Sequence, residues 1–353
     1  QITNVTRDVE FIKNDNDKQW KIVRDLTADI QALKNTPLSV TPIALTGSGT
    51  WYARASDIIE SGGSLYAAGY EDNSGHAVAM VWKLDGSRVI SIPLTGRGVD
   101  AWAVNIAASG DSFYATGWEK EHNGGKSVAM VWKIDSSKVT PIPLTKGTWD
   151  AAALSITAGG GSLYAAGYEE NSDGDEVATV WKLDGSRVTL IPLTDGTQFA
   201  GVLDIVESGG SLYAAGLEGN SGGHAVATVW KLDGSRVTPI PLTNGTRAAA
   251  WGITADGGNL YAVGYEQNSG GNYVATVWKL DGTTVTLIPL TGWTRNAVAL
   301  GIAENEGSFY AVGYEEGYNK SAARVWKIDG SRVMPVALTD ETRDSKVYAV
   351  IAP

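Results

Sequence analysis

The chain has 353 residues, among them 43 Gly, 13 Trp, 4 Phe, 3 Met and no Cys, with a formal net charge of -11. That length supplies a sizeable core in one large or two ordinary domains, and the missing Cys excludes disulfides, thiol nucleophiles and thiolate metal sites. The negative charge, with no Lys/Arg cluster to offset it, argues against a nucleic-acid partner; no apolar run approaches the roughly 20 residues of a membrane span, so a soluble chain is expected.

The first predicted element is a helix over residues 1–36. Ile2, Val5, Val9, Ile12, Asn16, Gln19, Val23, Leu26, Ile30 and Leu33 stand alternately three and four apart, a heptad seam. The apolar stripe is narrow, which suits a coiled coil better than a helix packed on a core. Asn16 and Gln19 would fix register in such a seam. Val23, Leu26, Ile30 and Leu33 favour a dimer, whereas Ile2, Val5, Val9 and Ile12, β-branched at both core positions, favour a trimer. Self-association through this segment, as a trimer rather than a dimer, is the expectation. Pro37 and Pro42 end the helix.

From residue 37 to 353 the chain reads as one repeat domain. "VWK" recurs at Trp82, Trp132, Trp181, Trp230, Trp278 and Trp326, a period of 48 to 50 residues. Within the first unit four strands are predicted: about Ala53 to Glu60, Ser64 to Glu71, Ala77 to Leu84 and, after the tight Asp85-Gly86 turn, Arg88 to Leu94. Four antiparallel strands per unit and no helical pattern specify an all-β fold, a six-bladed β-propeller of four-stranded blades. Two leftover pieces, Ser39 to Thr46 and Lys346 to Ala352, repeat a fourth and a first strand; they are expected to help close the ring, because a seventh blade from them alone would lack its two middle strands.

The units, with "LYAAGYE", "VWKLDGSRV" and "IPLT" in register six times, resemble a group of bacterial tandem-repeat proteins carrying "YVAGYE…VAKLWKNG…LT" units. The resemblance covers roughly residues 40 to 345. It implies a propeller and an extracellular or cell-surface setting, and no activity.

Chemistry is sparse. His76, His122 and His224 all fall between second and third strands, in different blades, which makes metal binding improbable. "NSDGDE" at Asn171 to Glu176 lacks a full calcium-loop pattern and reads as a solvated hairpin. No metal or other cofactor is expected. Glu71, Glu119, Glu169, Glu218, Glu266 and Glu315 recur in every blade, as do the Trp and Tyr66, Tyr114, Tyr164, Tyr213, Tyr261 and Tyr310, so these are assigned to blade packing.

The first strand of each unit is different. Ala53, Ala101, Ala151, Ala200, Ala248 and Ala297 are uniform, and strand alternation gives that uniformity one face, which suits the crowded innermost strand. Neighbouring positions vary and carry large or charged residues: Trp51, Tyr52, Arg54, Asp100, Trp102, Trp149, Asp150, Gln198, Phe199, Arg247, Arg295 and Asn296. Loop drift rarely yields aromatics and Arg, which binding hot spots use. These twelve residues are the candidate ligand-binding rim. The reading they support is a non-enzymatic recognition or adhesion protein, a helical stalk presenting propeller heads that bind a glycan or a protein surface multivalently. Two alternatives stand beside it: a lyase or glycoside hydrolase using axial carboxylates such as Asp57, Asp100 or Asp204, and a structural assembly protein.

Overall fold

The computed structural model describes residues 9–13, 19–24, 40–46, 52–72, 75–86, 88–96, 98–121, 124–136, 138–292, 294–317, 320–330, 332–339 and 344–351. Six repeats form six four-stranded antiparallel blades, at 52–93, 99–143, 151–192, 200–241, 248–289 and 297–337. In the first blade the strands are Tyr52–Ser61, Ser64–Asp72, Ala77–Asp85 and Arg88–Pro93, within a residue or two of expectation. The Asp-Gly hairpins hold their Gly at positive φ, 59 to 62° at Gly86, Gly185, Gly234, Gly282 and Gly330. Blade 2 carries Ser136 at the matching turn, at φ 57°, a conformation that costs a residue with a Cβ.

The first strand of each blade adjoins the first strand of the next, so these strands line the axis, as the small-residue face foretells. Fourth strands lie outermost and mostly exposed, with Pro141, Pro239 and Pro335 on alternate ones. Proline on an outer strand blunts edge pairing.

The core sits between blades. Between successive blades the interface packs the indole of one blade on small residues of its neighbour: Trp132 and Ile134 meet Ala68, Ala79 and Val81 of the blade before. All six repeat tryptophans are fully buried or nearly so. In two blades the repeated Glu accepts from the indole, Trp82 Nε1 donating to Glu71 (3.2 Å) and Trp132 Nε1 to Glu119 (3.1 Å), whereas the buried Nε1 groups of Trp181, Trp230 and Trp278 make no hydrogen bond and Glu266 and Glu315 accept from Thr246 and Arg324.

The ring closes through a seventh, composite sheet. Its order from the axis outward is Ser345–Ile351, Gln19–Arg24, Val9–Lys13 and Val40–Pro42. The two leftover pieces thus take the first and fourth places, as their sequences indicate. The middle places are filled by an antiparallel hairpin, Val9 opposite Val23 and Lys13 opposite Gln19. This hairpin pairs in parallel with both outer members.

At residues 9–13 and 19–24 these strands replace the helix expected over residues 1–36. Where that segment is described, Val9–Lys13 and Gln19–Arg24 are strands, not turns of a coiled coil. Across five or six residues a three-four spacing of β-branched residues and strand alternation are hard to tell apart. The deciding signal is "NDND" at Asn14 to Asp17, four turn formers in a row that the heptad reading ran through. The rest of the seam lies outside the described residues.

Candidate functional site

Every axial strand contains one irregularity at the same place. Register shifts occur between Ala55 and Asp57, Ala103 and Asn105, Ala153 and Ser155, Val202 and Asp204, Ala250 and Gly252, and Ala299 and Gly301. The closing strand has it too, between the partners of Val347 and Ala349. The extra residues are Ser56, Val104, Leu154, Leu203, Trp251, Leu300 and Tyr348. A bulge bends its strand and re-aims a side chain, and all seven of these line one central cavity of about 500 Å³.

The repeat encodes this bulge in the Gly of "AGY". A Cβ on Gly69 would lie 1.8 Å from the Arg54 carbonyl oxygen, and one on Gly167 2.0 Å from that of Ala152. Only a residue without a side chain lets the bulged backbone press so close.

The residue after the bulge lines the cavity at Asp57, Asn105, Asp204 and Gly301, and in blades 1 to 4 its side chain stitches one blade to the next. Asp57 Oδ2 accepts the N–H of Ile106 in the next blade (3.0 Å), and Asn105 Oδ1 that of Ile156 (3.2 Å). Ser155 Oγ donates to Asp204 (2.7 Å), whose other oxygen accepts the Ile253 N–H (2.8 Å). Burial pushes the Asp57 carboxyl up to about 7, against the pull of its backbone hydrogen bonds, and raises that of Asp204 as well. All three axial carboxylates of the lyase or glycosidase alternative, Asp57, Asp204 and Asp100, accept backbone N–H groups of neighbouring blades. Blades 5 and 6 have Gly252 and Gly301 after the bulge instead; a Cβ on Gly301 would meet the Tyr348 carbonyl oxygen at 2.9 Å.

Above the bulge ring the cavity mouth is aromatic and cationic on one side. The Arg54 guanidinium lies 4.3 Å from the Tyr348 ring centre, and the Lys346 ammonium 4.1 Å from that of Tyr314. Tyr265 and Tyr273, 4.6 Å apart, continue the arc, and Trp251, 38% exposed, stands below them. Burial raises the hydroxyl of Tyr348 and pushes that of Tyr314 up to about 12, so both remain neutral donors.

The predicted rim divides. Arg54 lines the cavity. Tyr52 and Trp102 belong to a stack beside it, Tyr52 to Tyr70 (5.6 Å), Tyr70 flat on Trp102 (4.5 Å), Trp102 to Trp118 (5.4 Å). Asp100, Asp150 and Asn296 accept the backbone N–H of Ala77, Ser127 and Tyr273 in the preceding blades, at 3.1, 2.8 and 2.8 Å. Burial would raise the Asp150 carboxyl, but hydrogen bonds from Lys126 and Ser127 outweigh it and hold the group at about 2. Phe199 covers Gly219, where a Cβ would come within 2.8 Å of its ring. Trp149, Gln198 and Arg247 are exposed and Arg295 half-buried, none of them on the cavity. Trp51 lies outside the described residues. Sequence reasoning missed Tyr265, Tyr273, Tyr314, Lys346 and Tyr348. The aromatic that follows the Gly of "AGY", as in Tyr265 and Tyr314, was the available signal. Among the described residues no three His, Asp or Glu side chains converge to hold a metal ion.

A β-propeller with a bulge-ringed axial cavity is the class that fold and site define. The chain matches no family model and no curated protein sequence. Among solved structures it is similar to the β-propeller domain of the Trilobed protease from Pyrococcus furiosus, at 12% identity over 82% of this chain and 86% of that one, TM-score 0.51. It is also similar to an acylaminoacyl peptidase in complex with Z-Gly-Gly-Phe-chloromethyl ketone (14% identity, 82% of this chain, TM-score 0.54) and to the acylaminoacyl peptidase of Pyrococcus horikoshii (14%, 83%, 0.53). The chain spans 47% of the length of each acylaminoacyl peptidase. At such identities the likeness is one of fold. It nonetheless corrects the expectation of a non-enzymatic adhesion protein, since these propellers belong to a protease and to peptidases, and the helical stalk behind the adhesion reading is a hairpin where it is described.

Proposed function

We propose that the chain is the propeller of a peptidase-type enzyme and that its axial cavity holds the peptide substrate. The observation that carries this reading is the cavity itself, about 500 Å³, with an apolar ring of bulged side chains below an aromatic and cationic mouth. Its volume lies within the range of small-ligand sites and suits a few residues of extended peptide. The fold likeness to peptidase propellers supports the substrate class. The described histidines, His76 and His224, are exposed on blade loops away from the cavity, so the reading assigns the propeller to holding substrate and bond cleavage to groups outside the cavity. The tandem-repeat resemblance supports an exported setting.

Equilibrium dialysis of peptides of about three to ten residues against the chain tests this. Retention by the wild type and its loss in the cavity-filling Leu203→Trp variant are expected. No retention of any peptide, or equal retention by the folded Leu203→Trp variant, would overturn the reading.

A further inference from the structure

Counting from the bulges exposes an asymmetry around the mouth. The residues two before each bulge are Arg54, Trp102, Ala152, Gly201, Ala249, Val298 and, on the closing strand, Lys346. Six repeats and a leftover strand thus place two cations side by side, because the closing strand adjoins the first strand of blade 1. Opposite them, blades 3 to 5 carry only Ala or Gly.

Each cation rests on the aromatic ring of the sheet before it, Arg54 on Tyr348 and Lys346 on Tyr314. Stacking engages the face of a guanidinium and orients its edge, and the edge is what grips a carboxylate. Tyr314 and Tyr348 add neutral hydroxyls on the same side of the cavity. One level further in, Ser56 and Tyr348 lie under the two cations, and the bulged Leu203, Trp251 and Leu300 form an apolar wall across the same cavity.

Resting on the reading of the cavity as a peptide site, we infer that it selects peptides by a free C-terminal carboxylate followed inward by an apolar last side chain. The carboxylate meets Arg54 and Lys346, the side chain meets the bulge ring, and the rest of the peptide leaves over the small residues of blades 3 to 5.

The experiment is dialysis of one hexapeptide ending in Leu, as free acid and as C-terminal amide, with a third amidated peptide carrying Glu beside the Leu. The free acid is expected to bind the full chain at least about tenfold more tightly than the amide, the size of a charge-assisted contact. In Arg54→Gln and in Lys346→Gln, each checked for an unchanged melting curve, that preference should fall to within about threefold. Equal binding of acid and amide by the wild type overturns the inference and leaves the peptide site standing. So does binding of the amidated Glu peptide as tightly as the free acid, which would make any carboxylate sufficient. Binding of none of the three overturns the inference, and the peptide site falls with it only when the dialysis survey of three- to ten-residue peptides also finds no retention.

Discussion

Blades 1 to 4 and blades 5 and 6 join their neighbours by different means at one structural position. In the first four, the residue after the bulge is Asp57, Asn105, Ser155 or Asp204, and its side chain bonds to the next blade. In the last two it is Gly252 or Gly301, and the backbones approach until a Cβ would meet Gly301 Cα at 3.2 Å or the Tyr348 oxygen at 2.9 Å. The contrast teaches that near-identical repeats need not make a symmetric axis. One part of the ring is stitched by polar side chains; the other is drawn together by their absence, and the aromatic and cationic mouth runs from that second part across the closing strand to Arg54 of blade 1.

The strongest way to break the contrast is to give blade 6 the residue of blade 1. Gly301→Asp forces a side chain against backbone and buries a charge, and is expected to cost about 4 kcal/mol or more, read as loss of the folded state in thermal melts.

The converse change should stabilise. Because burial raises the Asp57 carboxyl from 3.8 to about 7, folding favours its protonated form. Its contribution is whole below about pH 4 and is lost as pH rises through 7. Asp57→Asn keeps an acceptor for the Ile106 N–H, the task Asn105 performs one blade on. In urea titrations at pH 8 the variant should be more stable, by at most about 4 kcal/mol, and the gain should nearly vanish by pH 4.

Removing a stitch is expected to cost less. Asn105→Ala leaves the Ile156 N–H without its side-chain acceptor and should lower stability by about 1–3 kcal/mol in the same titrations. The smallest effect belongs to the mouth. Arg54→Gln with Lys346→Gln removes two cation–π contacts, about 1 kcal/mol in all, so the melting curve should hardly move while free-acid peptide retention falls.

Much of the framework was legible in the chain. The six-fold "VWK" predicts the blades because an indole filling the interfaces between successive blades cannot vary, and the Asp-Gly turns and uniform Ala column mark strand ends and the axis. The site was legible only in part. Arg54, Tyr52 and Trp102 stood out as large residues in a variable column, but Asp100, Asp150 and Asn296 stood out equally and serve as latches between blades. Type and variability do not reveal whether a side chain meets ligand or a neighbour's backbone.

By itself the sequence determined the repeat, the blade and the innermost strand, since all three follow from local periodicity and from volumes repeated at a fixed spacing. Only the tertiary structure decided three other matters. It made Val9–Lys13 and Gln19–Arg24 the middle strands of the closing sheet, because the edges left open by the two ends of the ring needed partners that no local pattern names. It placed a bulge in every axial strand, which shifts the register by one and brings side chains into the cavity that simple alternation would send elsewhere. And it set Lys346 beside Arg54, 292 positions apart along the chain (346 less 54), since only closure of the ring makes its last strand the neighbour of its first.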